Sequence, residues 1–163
     1  MALEIERKFL VIDESWRPHA THTELFRQGY LATTARASIR VRVSGDKAWL
    51  GVKGRVTGAS RPEFEYPVPV HEANEILDGL CGGGAIDKYR HYVPHAGHEW
   101  EVDEFLGANA GLVVAELELS REDEAFELPR WAGREVTLDE RYYNSALAQR
   151  PWRDWDENRG RAS

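Results

Sequence analysis

The sequence predicts a mainly β chain of the α+β class: an antiparallel eight-stranded β-barrel, closed or nearly closed. Three observations carry this. Eight runs alternate apolar and polar residues with period two. Short turn-rich segments join several of them as hairpins. The charges on one face of most runs are segregated by sign.

The first run, Leu3–Val11, places Glu4, Glu6 and Lys8 on one face and Leu3, Ile5, Arg7 and Phe9 on the other. Two carboxylates and an ammonium in a row describe an ion site better than a core. A second run covers residues 24–31. Residues 38–43 set Arg40 and Arg42 against Ile39, Val41 and Val43. Ser44-Gly45-Asp46 turns the chain into residues 47–56, where Lys47, Trp49, Gly51 and Lys53 oppose Ala48, Leu50 and Val52. Residues 63–68 set Glu63 and Glu65 against Phe64 and Tyr66.

Residues 71–80 then read as a helix with Ala73, Ile76, Leu77 and Leu80 on one face, and Cys81-Gly82-Gly83-Gly84 as its stop and turn. Residues 86–93 carry Lys88 and Arg90. Pro94-His95-Ala96-Gly97 is a hairpin turn, which is a better account of His91, His95 and His98 than a metal site. His98–Phe105 aligns Glu99, Glu101 and Asp103 opposite Trp100 and Val102. A glycine-flanked loop at 107–111 leads to residues 112–119, with Glu116 and Glu118 opposite Ala115, Leu117 and Leu119. Residues 142–149 read as a short helix stopped by Pro151. Residues 1–150 are expected to form one domain, and 151–163 a polar tail in which Trp152 and Trp155 can dock on the body while Asp154, Glu157, Arg159 and Arg161 stay solvated.

The 163 residues suffice for one domain with a substantial core. A net charge of −7 does not advertise a nucleic-acid surface, although a local basic cluster can hide within it. The single cysteine, Cys81, excludes an internal disulfide and a cysteine-rich zinc site, and no activating pattern surrounds it. No signal peptide is visible and no apolar run approaches ~20 residues, so a cytoplasmic protein with no membrane partner is expected.

For any single strand, charge facing solvent over an apolar core is the simpler reading. Two collective features favour inward charge. Like charges at i and i+2 stand only about 6.6 Å apart and repel, whereas solubility alone intersperses signs. Arginine also outnumbers lysine on these faces, and its planar fork suits oxyanions. A dry lumen so charged would be costly. It becomes reasonable with a divalent cation, Mg²⁺ or Mn²⁺, on the carboxylates and a polyanion on the cations. A polyphosphate chain with its metal satisfies both.

Glu4-Ile5-Glu6-Arg7-Lys8 resembles the Glu-x-Glu-x-Lys signature of the CYTH, or triphosphate tunnel metalloenzyme, superfamily. The resemblance extends through Arg40-x-Arg42, Lys53, Glu63-x-Glu65, Lys88-x-Arg90, Asp103 and Glu116-x-Glu118, in the family's order, and covers roughly residues 1–150. Gly133-Arg134-Glu135-Val136-Thr137 and Arg141-Tyr142-Tyr143-Asn144-Ser145 resemble the end of the short bacterial members. The resemblance implies a closed eight-stranded triphosphate tunnel, with Glu4, Glu6, Asp103, Glu116 and Glu118 at metal. Lys8, Arg40, Arg42, Lys53, Lys88 and Arg90 would hold phosphate. Lys8, Glu63 and Glu65 would serve catalysis, and Tyr30 would contact Lys8. It implies metal-dependent hydrolysis of a small-molecule triphosphate, foremost inorganic tripolyphosphate to pyrophosphate and phosphate. Thiamine triphosphate hydrolysis or ATP cyclisation on the same tunnel are alternatives, as is a non-catalytic module that binds polyphosphate or nucleotides. Family analogy also allows a homodimer.

Overall fold

The computed structural model describes residues 3–155. Residues 156–163 of the expected tail, with Glu157, Arg159 and Arg161, lie outside that range. The strands are β1 (Leu3–Val11), β2 (His22–Thr33), β3 (Ala37–Ser44), β4 (Lys47–Gly54), β5 (Ser60–Val68), β6 (Gly82–His95), β7 (His98–Phe105), β8 (Val113–Glu118) and β9 (Ala132–Glu135). The helices are α1 (Val70–Gly79) and α2 (Asn144–Gln149). No helix among the described residues is long and apolar enough to cross a membrane.

All strand pairs are antiparallel, in the order β5-β4-β3-β2-β6-β7-β8-β1, and β1 returns to β5 through Leu3↔Pro62 and Ile5↔Ser60. The eight expected strands therefore close a barrel, as the sequence predicts. The added strand, β9, was not expected. β1 accommodates it by dividing one edge. Glu6 N–H donates to Ala59 beside β5, while the Lys8 carbonyl, two residues on, accepts from Val136 just after β9.

The apolar core lies outside the ring. Phe9, Trp100, Val102, Ala115 and Leu117 face outward from β1, β7 and β8, and pack under Trp131, Ala132 and Trp16. Trp100 meets Phe9 and Trp131 with ring centroids 5.6 Å apart in each pair. Each such buried side chain contributes about 1.5–3 kcal/mol. α1 presses Ala73 and Leu77 against Val41 and Ala48 on β3 and β4.

A third cluster changes the expected picture. Tyr30, Ile86, Phe105 and Val114 occupy the lumen-facing positions of β2, β6, β7 and β8, but near one end of the ring they are apolar and packed with Tyr142, Leu147 and Trp155. The inward face is thus charged in its middle and capped by an apolar plug that includes α2. Trp155 stacks edge-on to Tyr142, so the expected docking of the tail tryptophan occurs. Gly82–Gly84 are not the expected turn. They extend β6, with Gly82 paired to Tyr30 after a register shift. Gly83 has φ +71°, and a Cβ there would sit 2.9 Å from the Ala148 carbonyl oxygen, so glycine lets α2 close on the barrel.

Candidate active site

The lumen holds a cavity of about 200 Å³ with charged walls. β1 supplies Glu4, Glu6 and Lys8, β3 Arg40 and Arg42, β4 Lys53, and β5 Glu63 and Glu65. β6 supplies Lys88 and Arg90, and β8 Glu116 and Glu118. Register explains the gathering. Lys8 stands opposite Glu116, Glu6 opposite Glu118, and Lys53 opposite Glu63. Gly51 stands opposite Arg40, whose guanidinium lies over it.

One acidic group centres on Glu116. Oxygens of Glu6, Glu101 and Glu116 lie within 4.8 Å of one another. Burial, together with the charges of Glu116 and Glu4, holds the Glu6 carboxyl well above the usual range. Burial pushes Glu116 the same way, but Lys8, Arg90 and Lys88 outweigh it and keep Glu116 ionised. Burial first and the neighbouring carboxylates second thus disfavour the charged form of Glu6, a cost that a divalent cation would offset. Three convergent hard oxygens fit such a cation.

Asp103, expected among the metal carboxylates, is placed elsewhere. It is fully buried behind the cavity wall, with Oδ2 2.7 Å from Lys88 Nζ and Oδ1 2.8 Å from Arg90 Nε. Both oxygens are committed to cations. Glu101, one pleat along β7, reaches the cavity instead. Sequence reasoning aligned Glu101 with Asp103 but did not select it, because alternation alone does not say which of two inward residues reaches the open part of a lumen.

A second acidic group joins Glu4 and Glu63 through a shared hydrogen bond. Burial alone would raise Glu4, yet the hydrogen bond with Glu63 and the Lys53 and Arg61 cations draw it to about 2. Burial and the same hydrogen bond push Glu63 up to about 7. Lys53 Nζ lies 3.1 Å from Glu4 and Arg61 Nε 3.4 Å from it. Arg61 was missed because Pro62 obscured the start of β5. Its signal was the period-two row Arg61, Glu63, Glu65.

The cations are only partly satisfied. Arg42 Nε donates to Gln28 Oε1 at 2.9 Å, its guanidinium lies 4.4 Å from the Phe26 ring centroid, and it has no carboxylate partner among the described residues. Burial, then the neighbouring charges of Arg40 and Arg90, lower its pKa to about 9. Arg40 pairs with Glu65 at 3.3 Å, but its buried Nε has no partner. Desolvated donors of this kind suit an anion. Burial lowers Lys88 to about 7 despite its pairing with Asp103.

Lys8 donates to the Tyr142 carbonyl at 3.4 Å, lies 3.6 Å from Glu116, and sits 5.6 Å from the Tyr143 ring centroid. The expected Tyr30 partner is replaced by Tyr143. The Tyr30 hydroxyl instead accepts from Gln28 Nε2 at 3.2 Å. Asn144 also enters the site, accepting from Lys88 at 3.0 Å. Cys81 is half-buried, its thiol raised by burial. His95 and His98 face each other across the hairpin turn.

Comparison with known proteins gives this geometry a lineage. An inorganic triphosphatase of Acetivibrio thermocellus is 50% identical over 157 residues, covering 96% of this chain and all of that protein. One from Nitrosomonas europaea is 38% identical over 150 residues, covering 89% of this chain and 96% of that protein. A crystal structure of an inorganic triphosphatase superposes with a TM-score of 0.66 at 35% identity, covering 91% of this chain and 95% of that one. A protein of Pyrococcus horikoshii shares the fold, with a TM-score of 0.59 at 19% identity over 74% of this chain and 81% of that one. A CYTH domain profile matches residues 2–149, and with the closed barrel and its charged lumen on the page, the chain belongs to the CYTH domain family.

Proposed function

We propose that this chain hydrolyses inorganic tripolyphosphate to pyrophosphate and phosphate, using a divalent cation. The observation that carries the reading is the division of one lumen into a convergent carboxylate group and a set of buried cations in which Arg42 and Arg40 Nε have no oxyanion partner among the described residues. The two nearly full-length relatives named inorganic triphosphatases support it. The lining favours an inorganic substrate: apart from Tyr30 and Tyr143 it is charged or small and polar, with no apolar shelf for a base or thiazolium among the described residues.

Lys8, Arg40, Arg42, Lys53, Lys88 and Arg90 would grip phosphate oxygens and fix the chain in line for attack. Glu6, Glu101 and Glu116 would hold the cation, with Glu4 and Glu118 on the adjoining wall. Asp103 would hold Lys88 and Arg90 in place. The cation, Mg²⁺ or Mn²⁺, supplies Lewis acidity toward water and neutralises charge on the phosphate oxygens. Glu63, with a pKa of about 7, is suited to accept the proton of the attacking water, and Glu65 steadies Arg40. As Arg42 and Arg40 Nε gain oxyanion partners, charge leaving the transferred phosphoryl group is spread over donors already in position. A unit of residues 1–150, acting in the cytoplasm as a homodimer, belongs to the same proposal.

The test is a panel assay with tripolyphosphate, thiamine triphosphate and ATP, with Mg²⁺, with Mn²⁺, and with chelator. The expected result is metal-dependent release of phosphate and pyrophosphate from tripolyphosphate, with little turnover of the other two. Cyclic AMP from ATP, or preferred hydrolysis of thiamine triphosphate, would move the assignment within the tunnel. Tight binding with no turnover of any substrate would mark a binding module.

A further inference from the structure

A groove of about 650 Å³ opens beside the plug, between the β2–β3 turn and α2. It shares Ser38, Arg61, Tyr143 and Ser145 with the lumen cavity, so the two spaces adjoin across these residues. Its wall carries two arginines that the site described above does not use, Arg36 and Arg55. Glu140 is the acidic residue facing them across the groove.

Their placement follows the logic of the strands. On β3 the inward row is Arg42, Arg40 and Ser38, and Arg36 stands just before the strand, in the β2–β3 turn, where its N–H donates to Thr34 Oγ1. On β4 the inward row ends at Lys53, and Arg55 follows the last residue of the strand. Ala37 and Gly54 form the last pair of this ladder, and Arg36 and Arg55, each one residue beyond it, both line the groove. Like charges gathered on one groove are unfavourable unless something offsets them. Of the lumen cations, Lys8, Arg40, Lys53, Arg61, Lys88 and Arg90 have carboxylate partners, and Arg42 is held by Gln28 and the Phe26 ring. Arg36 and Arg55 are exposed and form no ion pair among the described residues. Just beyond the ends of two cation-bearing strands, the groove thus carries arginine charge with no ion-pair partner among the described residues.

The whole chain carries −7, so its distant field repels an approaching polyanion. A local stripe of positive charge at an opening reverses that field where it matters and raises capture. We propose that the groove is an entry subsite at which Arg36 and Arg55 capture an inorganic polyphosphate anion and pass it along the β3 and β4 rows into the lumen. The proposal rests on the triphosphatase reading. It adds an outer site for the same ligand, held by residues that take no part in the chemistry.

The test compares wild type with Arg36→Ala/Arg55→Ala and with Arg36→Glu/Arg55→Glu in steady-state hydrolysis of tripolyphosphate, from low to high salt. At low salt, kcat/KM should fall roughly tenfold in the alanine variant and further in the glutamate variant, while kcat holds. The difference should shrink as salt shortens the Debye length from about 30 Å at 0.01 M to about 3 Å at 1 M. A kcat/KM within twofold of wild type at low salt, or a loss that salt does not reduce, overturns the proposal. Calorimetric titration of tripolyphosphate with chelator present separates the two readings. If wild type never releases phosphate, the functional reading fails. The entry subsite still stands if affinity drops severalfold in the alanine variant at low salt, and falls if affinity is unchanged.

Discussion

Lys88 Nζ lies 2.7 Å from Asp103 Oδ2, and the two side chains are 1% and 0% exposed. A pair so enclosed is a structural commitment. Removing one partner leaves a buried charge with no water to turn to. Asp103→Ala should destabilise the chain by about 3–5 kcal/mol. Replacing both partners with apolar residues, Lys88→Met with Asp103→Leu, should cost less than the sum of the single changes, because Lys88 is no longer stranded, although Arg90 then keeps only Glu101 and Glu116 among the described residues. Urea denaturation of the three variants checks this.

The division of labour on β7 predicts a separation by metal. Glu101→Gln should raise the Mg²⁺ or Mn²⁺ concentration for half-maximal phosphate release by at least about tenfold, the scale of a lost ligand or its close support. Asp103→Asn should leave that concentration nearly unchanged while lowering stability. Metal titrations of both variants decide it. A shift in Asp103→Asn with none in Glu101→Gln would return Asp103 to the metal and displace Glu101.

Arg40→Ala and Glu116→Gln should each lower turnover of tripolyphosphate by at least about tenfold, about 1.4 kcal/mol of transition-state stabilisation. Circular dichroism should show the barrel intact in both. Near-wild-type phosphate release from either folded variant would refute the placement of the site.

Glu63 gives the metal-free protein a pH signature. Its carboxyl is raised from 4.5 to about 7, so the folded state holds a proton that the unfolded chain releases. The stability it contributes is fully present below pH 4.5 and is lost as pH rises to about 7. Glu63 is partly open to solvent, so the loss should be about 1 kcal/mol rather than the full linkage value. Glu63→Gln should flatten the profile over that window. Thermal denaturation of both proteins in chelator, from pH 4.5 to 7.5, measures the difference.

The barrel was legible because its two signals reinforce each other. Period two gave the faces, and sign segregation in Arg40-x-Arg42, Lys88-x-Arg90 and Glu116-x-Glu118 identified the inward one. Other features left no such trace. β9 (Ala-Gly-Arg-Glu) is too short to show alternation, and it exists because β1 has half an edge left over. Gly82–Gly84 carry no side-chain pattern, so their pairing is written only in backbone hydrogen bonds. Ile86, Phe105 and Val114 share the parity of the lumen charges, and only the docking of α2 distinguishes a plug from a wall. Tyr143 reaches Lys8 by a long-range return of the chain that no local spacing announces.

With the apolar packing placed outside the ring, the barrel resembles a hoop held open by an external clamp. Phe9, Trp100, Leu117 and Trp131 fasten one side, and α1 another. Away from the plugged end, hydrophobic closure and the chemistry of the bore thus rest on opposite faces of the same strands, one residue apart. An exchange at an inward position such as Glu65 or Ser38 alters what the bore attracts without loosening the clamp. An exchange at Trp100 alters the clamp without touching the bore. A chain built this way can change its ligand by steps along one face of its strands while the other face keeps the hoop shut.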